Sequence, residues 1–292
     1  MTADSTDTAR LACRRSGLSP EMEPIRFGEN AVFRNSEGIV VRVSRAGQFS
    51  AAAREVSVSR WLAASDVPAV RAIENVEQPC LVRDRAVTFW HEIPEHRPGT
   101  SVEIAVLLHR LHSLTPPGEP KLNPLSPLVR LAERIEGATT LTANDRTWLR
   151  QRLAELTERY TRLPPGLPHS PIHGDAWNGN VVTTDEGVTF FLDLERFSIG
   201  PPEWDLVSTA VKHTTVTDQT EAQYQTFCAH YGYDVTQWPG FKTLRDIREF
   251  RVTCYAAQRA AEHPTAHREA ALRLACLRGE YGPRPWPWKA VT

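Results

Sequence analysis

Two short, mostly apolar runs near the start of the chain, residues 31–34 and 39–43, flank the turn-forming Asn35-Ser36-Glu37-Gly38. Two such runs about a polar turn predict a β-hairpin. Residues 50–64 contain neither Gly nor Pro and place Val56, Val58, Trp61 and Leu62 at spacings that suit one buried helix face, with Asp66-Val67-Pro68 as the stop. Residues 80–82 and 86–90 read as two more strands about Arg83-Asp84-Arg85. After residues 93–99, broken by two prolines and a glycine, the period changes to that of helices at 102–114, 128–135 and 145–163. A second hairpin, 181–183 with 188–192, interrupts them before helices resume near Trp204 and run to about Gly279. The pattern is α+β. It predicts an N-terminal region 1–93 built on an antiparallel sheet with one main helix, its first 20 residues flexible, and a mostly helical region 94–292.

Composition narrows the function classes. With 292 residues, 41% of them hydrophobic and 24% charged, the chain has material for a large buried core and none of the signature of disorder. Its 34 basic and 35 acidic side chains leave a formal charge of −1, so no broad cationic surface is expected and no nucleic-acid partner. Five cysteines, Cys13, Cys80, Cys228, Cys254 and Cys276, show no paired spacing and read as reduced thiols. The polar first 15 residues do not form an export signal, and no apolar run is long enough for a bilayer. A cytoplasmic protein, monomer or homodimer, without a membrane partner is the expectation.

The chemistry concentrates in Ile172-His173-Gly174-Asp175-Ala176-Trp177-Asn178-Gly179-Asn180-Val181 and, eleven residues on, Leu192-Asp193. A tight polar loop enters a hairpin and brings two carboxylates and an amide within reach of one point. Few, hard oxygen ligands such as Asn180 and Asp193 suit Mg²⁺, which keeps several waters and draws other ligands from substrate phosphates. Asp175 then remains as a proton acceptor. The order His173-Gly174-Asp175-x-x-x-x-Asn180, Leu192-Asp193 and Gly200-Pro201-Pro202-Glu203-Trp204-Asp205-Leu206 resembles the aminoglycoside phosphotransferase family, small-molecule relatives of the protein kinases. That resemblance implies a protein-kinase-like two-lobed fold, ATP or GTP as donor with Mg²⁺, and phosphate transfer to the hydroxyl of a small-molecule acceptor. It makes Asp175 the catalytic base, Asn180 and Asp193 the metal ligands, and Asp205 a brace for the catalytic loop.

In the first lobe the resemblance puts a phosphate-covering turn at Phe27-Gly28-Glu29-Asn30-Ala31, with Asn30 near phosphate. It puts Arg42 where the family uses lysine, paired with Glu55. It sets Trp90 behind the base, with the His91 carbonyl and the Ile93 N–H facing it. Arg is planar and permanently charged, so it grips phosphate with a different geometry from Lys. Residues 1–93 become the nucleotide-binding lobe and 94–292 the lobe with the catalytic loop and acceptor site.

Plainer readings stand beside these. Asp175, Asn180 and Asp193 could satisfy local backbone groups, Asn30 could be a turn residue, and Arg42–Glu55 an ordinary ion pair. His173-x-Asp175 could ligate a transition metal. Pro285-Trp286-Pro287-Trp288 reads as an aromatic plug on the core. From residue 110 to 162 nine basic side chains face six acidic ones, which argues against a polycationic acceptor. An antibiotic or hydroxylated metabolite is the expected acceptor; a choline, homoserine or sugar kinase and a non-catalytic nucleotide-binding module are the alternatives.

Overall fold

The structure, a computed structural model, describes residues 2–28 and 30–291. In chain order the elements are α1 (Thr2–Arg15), β1 (Met22–Phe27), β2 (Ala31–Asn35), β3 (Ile39–Ala46), α2 (Phe49–Ala64), β4 (Cys80–Val82), β5 (Arg85–His91), β6 (His96–Pro98), α3 (Ser101–His112), α4 (Leu131–Gly137), α5 (Ala143–Thr161), β7 (Ser170–Ile172), β8 (Val181–Thr184), β9 (Thr189–Phe191), β10 (Ser198–Gly200), α6 (Glu203–Thr214), α7 (Glu221–Tyr231), α8 (Phe241–Glu262) and α9 (His267–Arg278). They form two compact units. One comprises Met1–Asn123 with Asn178–Phe197, the other Pro124–Trp177 with Ser198–Thr292. By packing, α3 and the β8–β9 hairpin therefore go with the first unit, although they follow residue 93.

The first unit is organised by a five-stranded antiparallel sheet in the order β1-β2-β3-β5-β4. Successive side chains of a strand point to opposite faces, so the register of Val41 against Phe33 and Phe89 sorts the residues into two sets. Phe33, Val41, Val43, Val87 and Phe89 cluster with Ala9, Ala12 and Cys13 of α1. Val40 and Trp90 cluster instead with Val56 of α2 and Ala72. Each face of the sheet thus has its own helix, and Arg42, flanked by Val41 and Val43, belongs to the α2 face. The flexible start expected for residues 1–20 is not what forms. Residues 2–15 are helical, with Ala9, Ala12 and Cys13 fully buried, and burial pushes the Cys13 thiol up to about 11.

A smaller sheet, β6-β8-β9, completes this unit. Its neighbour α3 begins with a capping box: Thr100 Oγ1 accepts from the Glu103 N–H, and the Glu103 carboxylate accepts from the Thr100 N–H. Arg97, 2.7 Å from the same carboxylate, is the leading cause that holds Glu103 down at about 2.

The second unit is helical apart from the antiparallel pair β7–β10. The long helix α8 packs against α4, α5, α6 and α9, burying Leu244, Ile247, Phe250 and Cys254 completely. Trp286 and Trp288 stack at 4.9 Å and pack on Cys276, with the Arg284 guanidinium 4.3 Å from the Trp286 ring. This is the aromatic plug expected from the sequence. Among the described residues all five cysteines are free thiols, and no helix is long and apolar enough to cross a membrane.

Placing a charge on the buried side of α1 tests its role in the core. Ala12→Asp should cost about 3 kcal/mol or more in denaturant unfolding. A change at the exposed Asp7, whose side chain is 66% exposed, should stay within about 0.5 kcal/mol.

Candidate active site

Strand β7 delivers the chain into His173-Gly174-Asp175, and its antiparallel partner β10 leads into α6. The first turn of α6 grips that loop. Asp205, fully buried, accepts the His173 N–H at 2.7 Å and the Gly174 N–H at 2.8 Å, while Trp204 Nε1–H donates to the Gly174 carbonyl at 2.8 Å. Gly174 sits at φ +82°, a backbone conformation open to glycine and costly for most other residues. The Asp175 N–H donates to Nδ1 of the fully buried His173 at 3.3 Å. Asp175 projects a side chain 28% exposed, and Arg248 Nη2 of α8 lies 2.8 Å from its Oδ1. The bracing expected of Asp205 is therefore present, whereas the Arg248 contact was not read from the sequence.

Asn180 and Asp193 belong to the other unit, where the β8–β9 register positions them. Val181 pairs with Phe191, so Asn180, one residue before β8, and Asp193, two residues after β9, fall at the same end of the hairpin. The Leu192 N–H donates to the Asn180 carbonyl at 2.8 Å and closes that end. Asp193 itself adopts φ 51°, ψ 72°, a left-handed backbone that caps the short 3-10 helix Leu194–Arg196. Asp tolerates that region better than most residues, and such conformations concentrate where a side chain must be aimed.

Arg42, Glu55, His91, Ile93 and Asp193 come together as lining of one cavity of about 460 Å³, all of whose walls belong to the first unit. Val32, Val40, Val70, Trp90 and Leu192 give it apolar walls. Arg42 is held twice: Nη2 bonds to Glu55 Oε2, and its guanidinium carbon lies 5.5 Å from the Trp90 ring centre. Burial pushes the Glu55 carboxyl above its ordinary value against the pull of Arg42, and the nearby Asp193 and Glu195 push it the same way. Arg26, Arg34 and Glu92 also line the cavity, so among the described residues its lining carries three guanidinium groups and three carboxylates.

His91 and Ile93 differ in detail. His91 ends β5, with its N–H donating to the Arg71 carbonyl at 2.8 Å and its ring Nε2 lying 3.0 Å from Glu74 Oε2. The Ile93 N–H meets no acceptor among the described residues. Asn30 does not line the cavity; its carbonyl accepts the Gly28 N–H at 3.2 Å in the β1–β2 turn, of which Glu29 lies outside the described residues. No group of three His, Cys, Asp or Glu side chains suited to a metal occurs among the described residues.

Residues 21–247 match the phosphotransferase enzyme family abbreviated APH. The chain belongs to that family. APH phosphotransferases act on hydroxyl groups of small molecules and use ATP with a divalent cation, so this chain is a small-molecule kinase. No curated protein matches it in sequence. Solved structures share its fold. Amicoumacin kinase hAmiN, in complex with AMP-PNP, Ca²⁺ and Ami, superposes with a TM-score of 0.66 at 12% identity, over 92% of this chain and 90% of that one. A choline/ethanolamine kinase family protein from Mesorhizobium loti gives 0.62 at 16%, over 94% of each chain. An aminoglycoside-3'-phosphotransferase of type VIII gives 0.61 at 20%, over 84% of this chain and 99% of that one.

A nucleotide with a divalent cation suits the residues present. The cavity lies within the ~300–1,000 Å³ typical of small-molecule sites. It combines apolar walls with the Arg42 guanidinium beside the Glu55 and Asp193 carboxylates. Bound there, the cation would neutralise phosphate charge.

Two expectations follow. Asp205→Ala leaves two buried N–H groups without their acceptor and should cost about 2–5 kcal/mol by denaturant unfolding; Asp205→Asn, which keeps one acceptor oxygen, should cost less. Because the Glu55 pKa is raised in the folded protein, both states are protonated and nothing is lost well below the ordinary 4.5. As pH rises from there through the raised folded-state value, stability falls and then levels off. Stability measured at a series of pH values should show that decline in the wild type relative to Glu55→Gln, which has no proton to lose.

Proposed function

We propose that the chain transfers the γ-phosphate of ATP, or of GTP, to a hydroxyl of an antibiotic or a hydroxylated metabolite. The observation that carries this reading is that Arg42, Glu55, Ile93 and Asp193 line one and the same cavity. In it Arg42 takes the donor phosphates, the Ile93 N–H faces the base beside the His91 carbonyl, and Glu55 orients Arg42. Asn180 and Asp193 hold Mg²⁺. Asp175 accepts the hydrogen bond of the acceptor hydroxyl and orients it for attack. The phosphoryl group is loosely bonded at the transition state, so the residues act chiefly by positioning and charge neutralisation, and the carboxylate contributes about 10²–10⁴-fold. Asn30 serves the β1–β2 turn.

On the acceptor, the fold neighbours name both an antibiotic kinase and a choline/ethanolamine kinase family protein. The excess of basic over acidic residues between 110 and 162 weighs against a polycation. A metabolite kinase acting on a choline-, homoserine- or sugar-like alcohol is the second reading, supported by the second of those neighbours.

Incubation with MgATP and a panel of antibiotics and hydroxylated metabolites, read by mass spectrometry, should show one phosphate added to a panel member. Asp175→Asn should keep nucleotide binding within a few-fold while turnover falls about 10²–10⁴-fold. Asp193→Ala should raise the magnesium concentration needed for half-maximal rate; an unaltered magnesium dependence contradicts its place as ligand.

A further inference from the structure

Arg248 stands out among the charged residues that the sequence motifs do not absorb. It lies in the middle of α8, and its side chain is only 11% exposed. Helix-borne arginines in such a place need a dedicated anionic partner, because a guanidinium taken out of water loses its hydration shell. Here the partner is Oδ1 of Asp175, at 2.8 Å. The other face of the contact is aromatic: the guanidinium carbon lies 5.8 Å from the ring centre of Trp204. Trp204 is itself fixed by its Nε1–H bond to the Gly174 carbonyl, the residue immediately before Asp175. Arg248, Trp204, Gly174 and Asp175 therefore form a closed chain of contacts within one compact unit.

We propose that Arg248 is a positioning residue of the transfer reaction, its guanidinium fixing the orientation of the Asp175 carboxylate that receives the acceptor hydroxyl. The inference rests on the reading of Asp175 given above. The backbone of the loop is set by α6 through Asp205 and Trp204, but a set backbone does not by itself choose the side-chain torsions of Asp175. An Arg–carboxylate contact is directional as well as ionic, so it selects one orientation. A carboxylate has about four lone-pair sites, and one guanidinium contact does not exhaust its capacity to accept a hydroxyl. Lys would supply the charge without the planar fork or the stacking on Trp204. The division of labour is thus between two helices: α6 places the backbone and α8 aims the side chain.

The test uses the full chain and MgATP alone, with water as acceptor, and compares wild type, Arg248→Ala, Arg248→Lys and Asp175→Asn. Arg248→Ala should lower the Asp175-dependent hydrolysis rate about 10–100-fold with KM for MgATP within about twofold. Millimolar guanidinium ion should restore part of that rate, and Arg248→Lys should keep more activity than Arg248→Ala. Independently of turnover, crystal structures should show the Asp175 carboxylate in one orientation in the wild type and turned away from it in Arg248→Ala, with the backbone of residues 173–175, held by Asp205, unchanged. Unchanged rate and an unchanged carboxylate orientation overturn the proposal. So does a loss of rate that neither guanidinium nor lysine relieves. If wild type and Asp175→Asn hydrolyse MgATP equally, the reading of Asp175 fails instead, and the carboxylate orientation in Arg248→Ala still decides whether Arg248 fixes it.

Discussion

A carboxylate buried without access to water is unstable unless main-chain or side-chain donors replace its hydration, and Asp205 obtains such donors from two consecutive peptide N–H groups, those of His173 and Gly174. The same two bonds that make the carboxylate tolerable fix the backbone that carries Asp175. Because Asp205 lies in the first turn of α6, the positive end of the helix dipole also favours its charge. The adjacent Trp204 adds the Gly174 carbonyl to the set of satisfied groups and supplies the ring over which Arg248 lies. Remove the carboxylate and the loop loses its donors' acceptor, and the side chain of Asp175 loses the fixed backbone from which it projects.

The cavity lined by Arg42 and Asp193 is governed by a different constraint, the period of two along a strand. One set of β3 and β5 side chains meets α1 and the other meets α2, so a cationic side chain at Arg42 is committed to the face where Glu55 and Trp90 receive it. A shift of one residue in register would send Arg42 to the face that α1 covers. The β8–β9 hairpin applies the same logic at shorter range, placing Asn180 and Asp193 at one end by pairing alone. The Arg42 guanidinium also lies over the Trp90 ring, a stacking that an ammonium group uses less well.

The hairpins and amphipathic helices were legible because each buries one periodic set of apolar residues; residues 31–43, 50–64 and 181–192 all fall in the elements that their patterns predict. The loop motif was legible because its residue types are chemically demanding and closely spaced. Helix α1 was not. Its buried positions are Ala9, Ala12 and Cys13, small side chains in a polar segment, and they become core only because the sheet offers them Phe33 and Phe89. Arg248 was hidden for a related reason: α8 is buried on nearly all sides near residues 247–251, so no polar stripe distinguishes a functional arginine from a structural one. Its partner lies 73 residues earlier and is found only through tertiary structure. Asn30 shows the opposite case, a turn residue assigned to the site by its place in the motif that does not line the cavity.

The most direct measurement of the central claim is a crystal structure of the protein with Mg²⁺ and a non-hydrolysable ATP analogue. The account predicts the metal on Asn180 and Asp193, the Arg42 guanidinium on the analogue's phosphates, and the base against Trp90 and the Ile93 N–H. A nucleotide bound elsewhere, or a metal coordinated by other side chains, contradicts it.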